Sequence, residues 1–469
     1  MNEPDQTRTQ GDPIGEKRRL DFILIAVTAG AVLGMIFLAR AERNPQGVIL
    51  PMYGVNDRSR WATVYSLAER GTYNIDETPW PETIDRVRMG GHYYSSKPAL
   101  LPTLLAGEYL LLKRVTFGRL SFSNSPESVI RIIVASVNLV PLVIFLILFS
   151  HLLDRLAPDP WVRAYSMAAA GLGTFLTGFS LTLNNHTIAA CSSFFALYPA
   201  FLIWCEGQRR WWLFALAGFF AGFAAVNEFP AAAFLVALGA GLAWKARRRT
   251  LAWFLPFALL PLAGHFWTNY LVTGNLKPPY ADKAAYVFPG SYWMIDAVSG
   301  RLVGGETDPV TRKPTGRIGT GIDNQYESWP VYLFNMVAGH HGILSLSPIF
   351  IFTLIGIWSS IRSPGSLSRP FAVLAASLSL LLLVFYTFFA GQRNYGGGAA
   401  GLRWFFWLIP LWLTLLPEGL KARASHRWFR GMAVAFLLIS AASVFYCART
   451  PWTRPWIHQY LYYKGWIKY

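Results

Sequence analysis

The sequence predicts an all-α polytopic membrane protein with about eleven transmembrane helices and a long first extracytoplasmic loop that carries interfacial helices. Three observations predict it. Of the 469 residues, 53% are hydrophobic and only 14% charged, too apolar a balance for an ordinary soluble enzyme. Apolar runs of spanning length recur along the whole chain. The basic residues behind the formal charge of +17 fall in short clusters between those runs, as in cytoplasmic loops that face anionic lipid. That distribution argues against nucleic acid as a partner, because no basic face stands apart from the membrane pattern.

The first apolar run, 22–40, follows Lys17-Arg18-Arg19 and shows no small-residue cleavage site, so it reads as a retained span. Further spans are expected at 128–151, 162–182, 187–205, 211–226, 229–244, 251–271, 343–359, 370–390, 402–417 and 430–447. The stretch 98–112 is short, is interrupted by Pro102 and carries Glu108, which fits an interfacial helix. Charge supports that choice. With 98–112 in the interface, Arg155, Arg163, Arg209-Arg210, the 245–249 cluster, Arg362, Arg369 and the 421–430 cluster all join the N-terminus inside. Were 98–112 to span, every cluster after the first would move outside. The expected placement is a cell inner membrane, with a cytoplasmic N-terminus and an extracytoplasmic active face. Lys113, Arg114 and Arg119 remain outside, positioned to meet lipid phosphate.

This topology divides the chain into a transmembrane module, 1–271, with its first loop at 41–127; a long extracytoplasmic loop, 272–342; and C-terminal helices with an aromatic tail, 343–469. In the first loop, Trp61, Val64, Tyr65 and Ala68 recur at helical spacing over 57–70, and Gly71 supplies the stop. Cys191, Cys205 and Cys447 have neither metal-site nor disulfide spacing.

The unusual polar residues gather on the outer face. Asp57, at the start of the 57–70 helix, reads as a helix cap, as a general base for an acceptor hydroxyl, or as both. Arg58, Arg60 and Lys97 are cations suited to lipid headgroups or to a phosphate leaving group. Glu228, between two apolar runs, is either a solvated turn residue or a group holding substrate hydroxyls. His340-His341, flanked by glycines, read as a displayed turn that contacts sugar or phosphate, with metal binding the lesser alternative. Arg393 and Arg403 flank the glycine-rich 396–401 stretch, which is a flexible loop or an anion nest.

Asp57-x-x-Arg60-Trp61-Ala62, Gly71 and Tyr93-Tyr94-x-x-Lys97-Pro98 together resemble the first periplasmic loop of membrane glycosyltransferases of the GT-C fold. The likeness is greatest to the lipid A aminoarabinose transferase and protein O-mannosyltransferase branch. It covers about the first 210 residues at motif level; Arg131, Asn269-Tyr270 with Thr273-Gly274-Asn275, and Gly339 to Gly342 resemble further positions. The resemblance implies a GT-C-like fold and transfer of a sugar from a polyprenyl-phosphate carrier to a lipid, glycan or protein acceptor, with inversion. It implies Asp57 near the catalytic centre, here read as the base, and Lys97 as the phosphate ligand; Arg58, Arg60, Tyr94, His186, Glu228, His340, His341, Arg393 and Arg403 are the candidate substrate contacts read from the residues themselves. Relatives often have acids where this chain has Arg58, Ser96 and Asn184-Asn185-His186, so no divalent metal or other cofactor is expected to be required. The rival readings are a transporter or flippase of lipid-linked sugar, and a non-catalytic protein that binds polyprenyl phosphate.

Overall fold

The computed structural model describes residues 13–38, 51–80, 83–307, 314–319, 327–390 and 393–467. Parts of the two expected loops (41–50, 81–82, 308–313 and 320–326) and Gly391 lie outside the described residues. The chain is mostly helical. Six of its described stretches are long and apolar enough to cross a membrane: Arg18–Leu38, Pro126–Leu156, Asn185–Cys205, Phe229–Thr273, Arg369–Phe389 and Arg427–Tyr446. The chain is by that measure a membrane protein.

The other expected spans are shorter or broken. Trp211–Asn227 and Phe350–Arg362 are apolar but short. Pro348 cannot continue a helix, so 343–359 splits into Ile343–Leu346 and Phe350–Arg362. The 162–182 run stops at Gly173 and resumes as the single turn Phe175–Phe179. The 402–417 run begins as a 3-10 helix, Arg403–Leu408, before Ile409–Lys421. The 45-residue stretch Phe229–Thr273 leaves helical geometry at Ala246 (φ −155°, ψ 62°). Gly218 packs on the Phe254 carbonyl and Gly222 on that of Ala258, so Trp211–Asn227 and Leu255–Thr273 run parallel. The intervening Ala232–Arg249 helix must therefore return between them. Glycine permits the close backbone approach that such packing needs.

Above the bundle, the Val55–Arg70 helix lies on Leu100–Val115 through an aromatic cluster. Tyr109 stacks on Phe122 at 4.1 Å, while Trp80 meets Phe122 edge-on at 5.4 Å and Trp61 meets it at 6.4 Å. Such pairs each contribute about 0.5–1.5 kcal/mol beyond burial. Gly71 ends the first helix in the left-handed region (φ 69°), its N–H bonding the Leu67 carbonyl. The Leu100–Val115 helix has 16 residues, fewer than any of the six long stretches, and Leu104, Leu110 and Leu111 are exposed. Lys113 on this helix ion-pairs with Glu69 at 2.8 Å, so its expected lipid-phosphate role gives way to a bridge between the two helices.

The loops are not wholly helical, which corrects the all-α expectation. Arg86–Met89 and His92–Ser95 form a hairpin, and Trp293–Ile295, Leu302–Thr307 and Pro314–Ile318 form a small antiparallel sheet. Val87 packs with Ala285 and Tyr286, joining the two loops in a small satellite core.

Candidate functional site

Asp57 is the third residue of its helix, and Gly54 is the cap. Its carboxylate accepts the backbone N–H groups of Tyr53 (2.7 Å), Gly54 (2.8 Å) and Arg58 (2.9 Å), and the Thr182 hydroxyl donates at 2.8 Å. It is fully buried. Burial raises the carboxyl above the ordinary aspartate value, while the surrounding hydrogen bonds pull it back. Thr182 is itself held from below. A π-turn at Ala135–Leu139 presents Asn138, whose amide donates to the carbonyls of Ser180 (3.1 Å) and Thr182 (2.8 Å). Asp57 thus ties the outer helix to the membrane bundle. Expected as the base, it is sealed beneath its donors.

The next turn carries a buried polar network. The Arg60 guanidinium bonds the Asn56 carbonyl at 3.1 Å, the Asn56 side chain, and Asn185 Oδ1 at 2.5 Å. Asn185 in turn donates to Glu228 Oε1 at 2.5 Å, and His186 Nδ1 lies against the same oxygen. Glu228 Oε2 takes no hydrogen bond among the described residues. Burial holds the Arg60 guanidinium down to about 10, although Asp85 opposes it. Asn184 caps the Asn185–Cys205 helix by accepting the Thr187 N–H at 2.9 Å, which aims Asn185 and His186 at this network.

Lys97 comes from the hairpin. The register Arg86↔Ser95 brings residue 85 beside residues 96 and 97, and Lys97 Nζ reaches Asp85 Oδ2 at 3.0 Å. Ser59 fixes this segment to the helix, donating to the Asp85 carbonyl at 2.5 Å. Burial lowers the Lys97 ammonium below the ordinary lysine value. Asp85 opposes that shift, and the positive charges of Arg60 and Arg403 add to it.

Two chambers meet here. The larger, about 520 Å³, is lined by Tyr53, Asp85, Tyr286, Trp293, Asn394, Trp452 and the 396–398 glycines. The smaller, about 300 Å³, is lined by Arg60, His186, Asn227, Glu228, Phe229, His265, Tyr280 and Tyr386. Asn56, Lys97, Arg403 and Trp404 border both. Arg403 lies with its guanidinium carbon 5.0 Å from the Trp452 ring centre. Gly396 (φ 89°) makes room for it, since an added Cβ would meet Arg403 Nε at 3.2 Å. Lys97 and Arg403, with Arg60 close by, thus form a cationic waist between two cavities.

Of the residues anticipated from sequence, Arg60, Lys97, His186, Glu228 and Arg403 come together around the chambers. The others lie elsewhere. Tyr94 pairs with Val87 and packs into the satellite core, and Arg58 is half-buried away from both chamber linings. Arg393 donates to the Glu327 carbonyl at 2.7 Å. His340 and His341 are not displayed. They are buried against each other, Tyr395 and His458, with His341 stacked on Tyr395 at 4.3 Å. Burial holds His340 down to about 4 and His458 to about 3. Within 396–401, the N–H groups of Gly396 and Gly397 bond Asn394, that of Ala399 bonds Gly397 and that of Ala400 bonds Pro451, so most are already engaged within the protein. Among the described residues, no three His, Cys, Asp or Glu side chains come together as metal ligands.

Sequence reasoning passed over Asp85, Asn56, Trp404, Trp452 and Tyr280. One signal would have found Asp85. Gly90-Gly91 is a two-residue hairpin turn (φ 58° and 89°), and counting back from it pairs 86 with 95.

These features define a helical membrane protein with a cationic, two-chambered cavity beside the ends of its helices. No family model matches the chain, and no curated protein does. Among solved structures, it is similar to the apo form of an oligosaccharyltransferase from Archaeoglobus fulgidus, at 12% identity and a TM-score of 0.44. That match covers 92% of this chain and 55% of the other, so the chain spans about half the length of that protein. At this identity and score, the likeness establishes neither a family nor an activity.

Proposed function

We propose that the protein is a membrane glycosyltransferase that moves a sugar from a polyprenyl-phosphate carrier to an acceptor on the extracytoplasmic face. The observation that carries this reading is the waist: Lys97 and Arg403 border both chambers, with Arg60 buried beside them. Burial lowers Arg60 and Lys97, and the charge of Arg403 lowers both further against Asp85 and Glu228, so an added phosphate at the waist is stabilised. Two chambers joined at a phosphate site suit a reaction between two substrates.

In the reaction, an acceptor oxygen attacks the anomeric carbon. The bond from that carbon to the phosphate oxygen breaks, and its electron pair stays on polyprenyl phosphate. Lys97 and Arg403 offset the charge that develops there. The acceptor proton needs a base on the face of the sugar opposite the phosphate. Asp85 is tied to Lys97 on the phosphate side. Glu228 faces the other chamber with Oε2 unbonded and His186 at its side, so Glu228 is the proposed base. Asp57 is a positioning residue that fixes the helix bearing Asn56 and Arg60.

Binding of polyprenyl phosphate to the purified protein tests the waist. Lys97→Ala and Arg403→Ala should each weaken binding tenfold or more, while Lys113→Ala, outside both chambers, should leave it unchanged. Equal binding by all three variants would remove the phosphate assignment.

A further inference from the structure

At the basic end of the bundle, away from the helix ends that border the chambers, three helices leave a second cavity. Asn185–Cys205, Ala232–Arg249 and Arg369–Val384 meet there around about 280 Å³. The lining is almost wholly apolar and comes from one face of each helix: Ala200 with Trp204, Ala237 with Gly241, and Phe371 with Leu374. The gap exists because Ala200, Ala237 and Gly241 are too small to fill it. Gly241 is also close-set, since an added Cβ would lie 3.3 Å from the Trp204 ring.

Cations stand at one end of this groove. Lys245, one turn beyond Gly241, holds its Nζ 4.8 Å from the centre of the Trp204 ring. Arg369 is exposed and directly precedes Pro370, which lines the groove. The nearby carboxylate of Glu206 is already engaged by Arg155 Nε at 2.8 Å. Arg247, Arg248 and Arg249 continue the positive charge through the last turn of that helix.

We propose that this groove is a binding site for one anionic phospholipid, with an acyl chain between the three helices and its phosphate at Lys245 and Arg369. An apolar slot in the bundle excludes a water-soluble ligand. Cations at its mouth select a negative headgroup over a zwitterionic one, and basic pockets between spanning helices bind lipid headgroups in this way. The bound lipid holds Ala232–Arg249, and the next helix in the chain, Leu255–Thr273, packs on Trp211–Asn227, whose last residues line the smaller chamber.

Native mass spectrometry of the full chain, released from bilayers with equal phosphatidylglycerol and phosphatidylcholine, tests the site. The wild type should retain one phosphatidylglycerol. Lys245→Ala combined with Arg369→Ala, and separately Gly241→Leu, should each lower that retention tenfold or more. The double variant changes only exposed side chains, so it decides the matter even where Gly241→Leu fails to fold. Equal retention of the two lipids by the wild type, or undiminished phosphatidylglycerol on the double variant, would overturn the proposal.

Discussion

In the proposed reaction, Asp57 and Glu228 divide the work that a single acid was expected to do. The Asp57 carboxylate satisfies three backbone N–H groups and a threonine hydroxyl in a fully buried setting. Asp57→Asn replaces one acceptor oxygen with a donor that faces donors. A buried group left unsatisfied costs about 1–3 kcal/mol, so the melting temperature should fall while the folded fraction keeps transferring sugar. Glu228→Gln should behave in the opposite way, with unchanged stability, retained carrier binding and transfer lost. An Asp57→Asn protein of normal stability but no activity would return the base to Asp57. Lys97 gives a pH prediction of definite sign. Burial holds its ammonium below the ordinary lysine value, so its charge, and with it carrier binding, is lost as pH rises through that lowered value. The alkaline limb of kcat/KM should therefore lie below the ordinary lysine range, and Lys97→Arg should shift it upward. A limb that stays in place in Lys97→Arg would assign it to another group.

At the scale of elements, the glycine contacts between helices set the bundle geometry. Gly356 and Gly419 pack on the Leu415 and Phe352 carbonyls, so Phe350–Arg362 and Ile409–Lys421 run antiparallel with their backbones touching. Gly419→Val should destabilise by about 1–3 kcal/mol, read as a lowered melting temperature, because neither backbone can retreat without moving the helix. Gly431, with open space around a would-be Cβ, is the matching control, and Gly431→Ala should be near neutral. The elements also show what the sequence could reveal. The 57–70 helix and its Gly71 stop were readable because spacing and a left-handed cap are local signals. The break at Gly173 was not, since an apolar run looks continuous until packing bends it, whereas the one at Ala246 falls in the basic 245–249 cluster that separates two expected spans. The helix at 55–70 also buries Asn56, Asp57, Ser59 and Arg60, where an amphipathic pattern would leave its polar face in water. Polar residues are buried there because a second layer of polar partners, Thr182 and Asn185, comes from 125 residues away. His340-His341 misled for the same reason: flanking glycines suggest display, but His458 and Tyr395 arrive from distant segments and cover them.

The whole molecule places the two chambers at one end and a run of exposed basic residues at the other. Both chambers border Asn56 of the outer helix, Lys97 just after the hairpin, and Arg403 with Trp404, whereas 245–249 and Arg369 mark the opposite end of their helices. That polarity suits an enzyme that meets its lipid carrier at the membrane surface and works outside. The central claim is that the waist releases polyprenyl phosphate as a sugar leaves it. Mass spectrometry of lipid-linked sugars and surface glycans, compared between cells with the wild-type gene and cells with Lys97→Ala at equal protein level, tests that claim most directly. The account predicts that one polyprenyl-phosphate sugar accumulates in the variant and that the same sugar is lost from one surface glycan, lipid or protein. Unchanged lipid-linked sugars and unchanged acceptors in the Lys97→Ala cells would contradict it.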